Sequence, residues 1–469
     1  MACAALAFIF RTLIVILCPG AWRPDEIFQY MEPAHKWAYN TGIMTWEWRV
    51  GIRSWFVPIF IAKIMQIGDL FDVNNKIILV REWFSFLSLS VVISFFWYGW
   101  KKSGIYLAYT LGIAAALWPD LASAGTRPLG EFTAGNVLAL AVVLIMACRS
   151  VENPPKYLFY GLSGFLLGLT FSLRFQIAPA AALAFLFLLQ KNRLKYIGFS
   201  FICLLLPIIF LGILDKITLG SMFQSIFRNF YYNHTLGVAD AYGIKWFGYY
   251  INKYINFWGA MFVFLIIFAL KAKKEECIPL WVGVFVVFYH SLISHKEVSF
   301  IYPAIPLIVL SAGLGFFRTF NGTQRSYCWT LVALASAMLC MFISTYVPYL
   351  KNNVAGVYFE KKILRNHDAC GVAMFSNKDG SNFPDIGYGY SLLNVPVYLF
   401  LDEKEQDANY GKYNYLITKD YNFIANHSPK WKLIGGKEDD GLYLYQRDGQ
   451  CSGYPDFEQF SQKLKEINK

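Results

Sequence analysis

Long apolar runs follow one another almost from the first residue, separated alternately by short basic turns and by longer polar, aromatic loops. The apolar segments fall near 3–19, 78–100, 105–118, 131–148, 157–172, 177–190, 196–214, 256–270, 277–293, 300–317 and 328–346. Each can cross or nearly cross a hydrocarbon core of about 30 Å as a helix. The first lacks a basic leader and is interrupted by Arg11, so it reads as a retained helix and not a cleaved signal. An amphipathic or re-entrant piece is predicted over 54–68, and no internal repeat is visible. From about 350 the pattern changes to short apolar runs (VPVYLFL, YNYLIT, WKLIGG, GLYLYQ) between polar and Gly/Pro turns. That alternation predicts a small mixed α/β domain. The expected fold is therefore mainly α: a transmembrane domain over 1–349 with about 11 helices, and a C-terminal domain over 350–469.

Composition agrees with this pattern. Of 469 residues 56% are hydrophobic and only 16% charged, against about a quarter charged in soluble chains, and the mean hydropathy is +0.40. A soluble enzyme and a disordered protein are both excluded. The net charge of +11 lies wholly in the first 350 residues, because 351–469 holds 15 basic against 16 acidic residues. Loops carrying Lys101–Lys102, Arg149/Lys156, Lys191/Arg193/Lys195, Lys271/Lys273/Lys274 and Arg318/Arg325 hold 12 basic residues in about 33 positions, whereas the opposite loops hold 13 in about 119. The dense side is expected to be cytoplasmic. The positive excess is a topology signal and calls for no nucleic-acid partner.

On that assignment the long loops 22–77, 119–130, 173–176, 215–255 and 294–299, and the tail, share the non-cytoplasmic face. Chemistry there calls for a membrane-delivered donor, since nucleotide-activated sugars are confined largely to the cytosol. The chain also lacks GxGxxG and GxxxxGK[ST]. Among nine cysteines none forms a CxxC pair, and only Cys370 and Cys451 fall together in the polar tail, where they could form a disulfide.

The first loop, AWRPDEIFQYMEPAHKWAYNTGIMTWEWRVGIRSWFVP, holds Trp22, Trp37, Trp46, Trp48 and Trp55, five of the 14 tryptophans. Indole faces suit sugar C–H faces, and the adjacent carboxylates Asp25 and Glu26 offer a general base. Glu47 and Arg53 add a second charged pair. The competing reading is an interfacial aromatic belt with a solvated acidic turn. Arg127 and Arg174 sit where apolar runs break, as candidate phosphate ligands or helix-end charges. The aromatic loop 215–255 either caps a substrate groove or lies on the bilayer surface. In Ser294–His295–Lys296–Glu297, Lys and His suit a departing lipid phosphate and Glu an orienting role, against a snorkelling interfacial cluster.

Taken together, Arg23-Pro24-Asp25-Glu26-Ile27-Phe28-Gln29, Thr45-Trp46-Glu47-Trp48 with Ile52-Arg53-Ser54-Trp55, and His295-Lys296-Glu297 resemble the glycosyltransferase family 22 mannosyltransferases, most of all their GPI mannosyltransferase 3 branch. Arg23 replaces the His of many relatives, and Arg127-Pro128 departs from their TRT-type continuation. The resemblance implies a GT-C fold and a dolichyl-phosphate-mannose donor. It also implies an endoplasmic-reticulum location and a catalytic aspartate in the first luminal loop, at Asp25 with Glu26 beside it. His295, Lys296, Arg127 and Arg174 are then expected at the donor phosphate, and Trp46, Glu47, Trp48, Arg53 and Glu297 at the substrate. No metal or cofactor is required. The partners are a lipid-linked sugar donor, a glycolipid acceptor and membrane lipids. The alternatives are a bacterial inner-membrane enzyme with a periplasmic site, a lipid or sugar flippase, or a non-catalytic subunit of a glycan-assembly complex. Charges gathered in loops on one face favour surface chemistry over the mid-membrane charges of a transporter.

Overall fold

The computed structural model describes residues 1–151, 155–190, 193–320, 323–352, 355–375, 386–419, 431–437 and 441–467. Lys191 lies outside these, as do two of the three Asn-X-Ser/Thr glycosylation sequons in the chain, at Asn321 and Asn426, the third being at Asn233. The chain divides into two compact units. One comprises Met1–Leu17, Ser54–Val57 and Arg81–Pro348; the other comprises Cys18–Arg53, Pro58–Val80 and Tyr349–Lys469.

The first unit is helical, and every predicted apolar segment coincides with a helix. Four helices are long and apolar enough to cross a membrane alone: Lys76–Ser103, Gly130–Ser150, Leu194–Leu219 and Gln324–Leu350. A fifth candidate is the pair Tyr249–Trp258 and Ala260–Ala269, bent by 113°. The remaining apolar helices include Ala2–Leu17, Ile105–Leu117, Lys156–Leu173, Ile278–Ser291 and Ala304–Thr319. The predicted 54–68 piece is the helix Phe56–Leu70, which from Pro58 onward belongs to the second unit.

Packing in this unit depends on small residues, because lipid tails give no hydrophobic drive for helices to associate. Lys156–Leu173 lies against both Gly130–Ser150 and Leu194–Leu219. It approaches the latter through Gly164-Phe-Leu-Leu-Gly168. A Cβ at Gly164 would stand 1.9 Å from the Ser200 carbonyl oxygen, and one at Gly168 2.0 Å from that of Leu204. Two of the basic loop residues meet a buried acid: Arg318 grips Glu276 through two bonds of 2.9 and 2.7 Å, with Lys102 at 3.8 Å.

The second unit carries a five-stranded sheet of β1 (Val372–Phe375), β2 (Val397–Phe400), β3 (Tyr415–Thr418), β4 (Trp431–Lys437) and β5 (Leu442–Arg447). The order is β2-β1-β3-β5-β4; β1 runs parallel to β2 and β3, and β5 antiparallel to β3 and β4. Side chains alternate as the strand period of two requires. Val372, Met374, Leu399 and Ile417 enter one core layer, and Ala373, Tyr398, Phe400 and Leu416 the other. The first layer also holds Phe359 and Ile363 of helix Ala355–Asn366, Phe460 of helix Gln459–Ile467, and Ile43 from the first loop, with Phe28 packed against it. The first loop is thus built into the same core as the tail. Cys370 and Cys451 form a disulfide across 81 residues.

Candidate active site

In the second unit Pro24 opens a short helical turn, where its missing N–H costs nothing. The turn continues as a π-helix, Glu26–Met31, and then as the α-helix Glu32–Tyr39. Such π segments are rare and frequent at functional sites. The two adjacent carboxylates are treated differently. Glu26 is fully buried and accepts the Trp22 backbone N–H at 2.9 Å. Asp25 is only half-buried, and its charge reaches Arg53. Arg53 donates to Glu47 at 2.5 Å. Burial works against the Arg53 charge, but Glu47, Tyr30 and Asp25 outweigh it and hold the guanidinium above its ordinary value. Trp48 is buried and donates its indole N–H to the Phe28 carbonyl at 3.1 Å, while Trp46 is half-buried. Asp25, Glu26, Trp46, Glu47, Trp48 and Arg53 therefore lie in one unit, with Glu47 and Asp25 acting on Arg53 and with Glu26 and Trp48 tied to the π-helix turn.

Three side chains in this unit escaped sequence reasoning. Glu32 is fully buried, and its two carboxylate oxygens accept backbone N–H groups from Ile43 (2.7 Å) and Gly389 (2.6 Å). Burial pushes its pKa up to about 7, against the opposing pull of those hydrogen bonds. His35 bonds through Nδ1 to the Thr41 carbonyl at 2.6 Å and stacks on Tyr388; burial lowers its pKa. The Tyr390 hydroxyl donates to the Pro19 carbonyl at 3.0 Å. The only sequence signal was a Glu and a His inside a helix that already had an apolar face.

In the helical unit Arg127 is completely buried at the turn after the short helix Pro119–Ala124. Arg174, at the break after Lys156–Leu173, pairs with buried Glu131 at 2.6 Å. Asp120 accepts indole N–H groups from Trp118 (3.2 Å) and Trp258 (2.9 Å). Burial raises its pKa to about 6, although Tyr346 and both tryptophans favour the anion. His295 bonds Glu297 at 3.3 Å and the Gly243 carbonyl at 3.1 Å. Lys296 donates to the carbonyls of Lys245 (2.9 Å) and Ile293, and its burial lowers its pKa. Glu297 thus pairs with His295, and backbone carbonyls hold Lys296. A small cavity of about 50 Å³ among Thr110, Trp118, Met261, Phe264, Val309 and Leu331 is almost wholly apolar. Among the described residues no group of three or more His, Cys, Asp or Glu could hold a metal.

The chain is mainly helical and apolar, with carboxylates and cations in its loops and a small sheet towards the C-terminal end, and it shares its fold with a GT-C enzyme. The solved structure of ArnT from Cupriavidus metallidurans bound to undecaprenyl phosphate matches this fold with a TM-score of 0.67, at 11% identity, over 97% of this chain and 98% of that one. The apo ArnT structure matches with 0.62. The chain belongs to the Alg9-like mannosyltransferase family, whose model covers residues 3–400. It is 23% identical over 381 residues to GPI mannosyltransferase 3 of Schizosaccharomyces pombe, covering 72% of each chain. It is 25% identical over 349 residues to the Yarrowia lipolytica enzyme of that name, covering 71% of this chain and 66% of that one. With human alpha-1,2-mannosyltransferase ALG9 the figures are 25% over 334 residues, 65% and 51%. The protein is a membrane mannosyltransferase, as the first-loop and His295–Glu297 motifs implied, and the flippase reading falls.

Proposed function

We propose that the protein transfers mannose from a polyprenyl (dolichyl) phosphate carrier to a hydroxyl of a membrane glycolipid, such as a GPI-anchor precursor or a lipid-linked oligosaccharide. The carrying observation is Asp25: a half-buried carboxylate at the head of the π-helix, beside an Arg53 already paired to Glu47. Asp25 takes the proton from the acceptor hydroxyl as that oxygen bonds to the anomeric carbon. The bond from that carbon to phosphate oxygen breaks, and its electron pair leaves with the lipid phosphate. One displacement inverts the centre, so a β-linked donor yields an α-mannoside. Glu26, fully buried on the Trp22 amide, keeps the turn in shape and orients Asp25. Trp46, Trp48 and Glu47 line the sugar side.

Lys296, His295 and Arg127 stabilise the leaving phosphate, Glu297 fixes the His295 ring, and Arg174 bridges Glu131 and the phosphate through its planar fork of donors. In this reading protein cations meet the leaving group's charge, and no metal is needed. The location is the endoplasmic reticulum membrane, with eleven spans, division at about 350, and first loop and tail in the lumen. The Cys370–Cys451 disulfide suits that oxidising compartment, as does the eukaryotic origin of the named relatives. The test is Asp25→Asn in membranes supplied with lipid-linked mannose. Transfer is expected to vanish while the protein remains inserted; near-normal transfer overturns the role.

A further inference from the structure

Residues 222–247 show an inverted polarity that the proposed chemistry leaves unexplained. In the helix Gln224–Phe230 the buried residues are Ser225 and Asn229, whereas Phe227 and Phe230 are 69% and 56% exposed. The Ser225 amide and hydroxyl both donate to the buried Asp215 carboxylate, at 3.0 and 2.6 Å. Beyond it Tyr231, Tyr242, Trp246 and Phe247 all stand more than half exposed. In water this arrangement is backwards: apolar surface would be the exposed part and polar atoms the hidden part. It is the right way round only if the outer medium is apolar.

The flanks say which medium that is. The segment follows Leu194–Leu219, a candidate membrane span with only 22% of its apolar window buried in the protein. It leads into Tyr249–Trp258, where Tyr250, Tyr254 and Trp258 are buried while Ile251 and Ile255 are exposed, before the 113° bend. The lipid-facing surface therefore continues into the segment without a break. Tyr, Trp and Phe are the side chains that favour the headgroup level, and the exposed Arg228 and Lys245 suit lipid phosphates.

The segment is also tied to the His295–Lys296–Glu297 loop. Ile244 and His295 form an antiparallel bridge, Lys245 N–H donates to the Ser294 carbonyl at 3.0 Å, and Ser294 bonds Asp240. The Gly243 and Lys245 carbonyls hold His295 and Lys296.

We propose that residues 222–247 form an interfacial lip, its aromatic face inserted in the lipid leaflet on the His295–Glu297 side, and that its seating sets Lys296 at the depth of the donor's phosphate. The second half rests on the function proposed above; the first does not. The test uses the full chain in phosphatidylcholine nanodiscs, with Cys203, Cys277, Cys328 and Cys340 changed to Ser. A fluorophore is placed at Phe227→Cys, at Trp246→Cys, or at Lys404→Cys in the tail as a control. Spin-labelled lipid is expected to quench the probes at 227 and 246, and aqueous iodide the probe at 404. Iodide quenching at 227 and 246 equal to that at 404, or quenching by neither agent, overturns the lip: the face is then in water or covered by protein.

For the coupling, Phe227→Asp with Trp246→Asp is expected to raise KM for the lipid-linked donor about tenfold with kcat changed less than about threefold. Unchanged KM alongside confirmed lipid quenching overturns the coupling alone. Normal turnover of Asp25→Asn overturns the function and leaves the quenching result standing.

Discussion

The loop 22–53 and the loop 222–247 look alike in composition, both dense in aromatic residues with a few charges, yet they fold with opposite polarity. In the first, three large polar side chains turn inward onto backbone partners: Glu26 on an amide, Glu32 on two, Trp48 on a carbonyl. In the second, Ser225 and Asn229 turn inward while the rings face out. The difference teaches that an aromatic loop is not one kind of structure. A loop that joins a protein core finds hydrogen-bond partners for most of the polar atoms it hides. A loop that meets lipid hides its polar atoms for a different reason, because the outside is the apolar phase.

The sharpest way to break the comparison is to remove one charge from each loop's working part. Asp25→Asn should lower turnover about a thousandfold or more, the range of a lost general base, in a transfer assay with lipid-linked mannose. Lys245→Ala, on the lip, should leave turnover within about threefold, because the backbone carbonyl that holds Lys296 remains. Equal losses would erase the distinction between a chemical and an anchoring loop.

Next in size is Glu32→Ala, which leaves the buried Ile43 and Gly389 amides without their acceptor. It should loosen the second unit by about 3 kcal/mol, seen as faster hydrogen exchange at Ile43 and Gly389. Asp215→Ala should do the same to Ser225 by about 1–2 kcal/mol, without altering exchange in the first loop.

A pH series refines this. Glu32 has a folded pKa of about 7 against an ordinary value of 4.5, so between these values the folded unit binds more protons than the unfolded one. Its contribution to stability is fully present below about pH 4.5 and is lost as pH rises through about 7. Protection at Ile43 and Gly389 should therefore fall over that window, and Glu32→Gln should flatten the fall. A profile that rises instead means the two amides outweigh burial. The smallest expected effect is Glu47→Gln, about 1 kcal/mol, because the Arg53 pair keeps some solvent contact; thermal denaturation in detergent measures it.

Much of this was legible in the chain. Most apolar runs became helices close to their predicted bounds, because hydrophobic length and helical hydrogen bonding are local demands; the run 256–270 is the exception, broken at Gly259 into two helices bent by 113°. The alternating runs after 370 became strands for the same reason. Cys370 and Cys451, the sole cysteines in the polar tail, did pair. The site was legible as a set of residues and not as an arrangement. Adjacent in sequence, Asp25 and Glu26 differ only through burial. Arg174 was a candidate phosphate ligand with no partner named, and Glu131, 43 positions earlier, proved to be that partner. Glu297 was given an orienting role by its place in the motif, and His295 is one group that it bonds.

What the sequence by itself determined was where the chain is apolar, which elements form, and which few charged groups remain to do chemistry. Only the tertiary structure decided that Ile43 and Phe28 join the tail's core more than 300 residues away, that Glu32 staples Ile43 to Gly389, and that the aromatic lip faces outward. These are long-range choices. They depend on which surfaces meet and which solvent each face sees, and neither is encoded in the spacing of neighbouring residues.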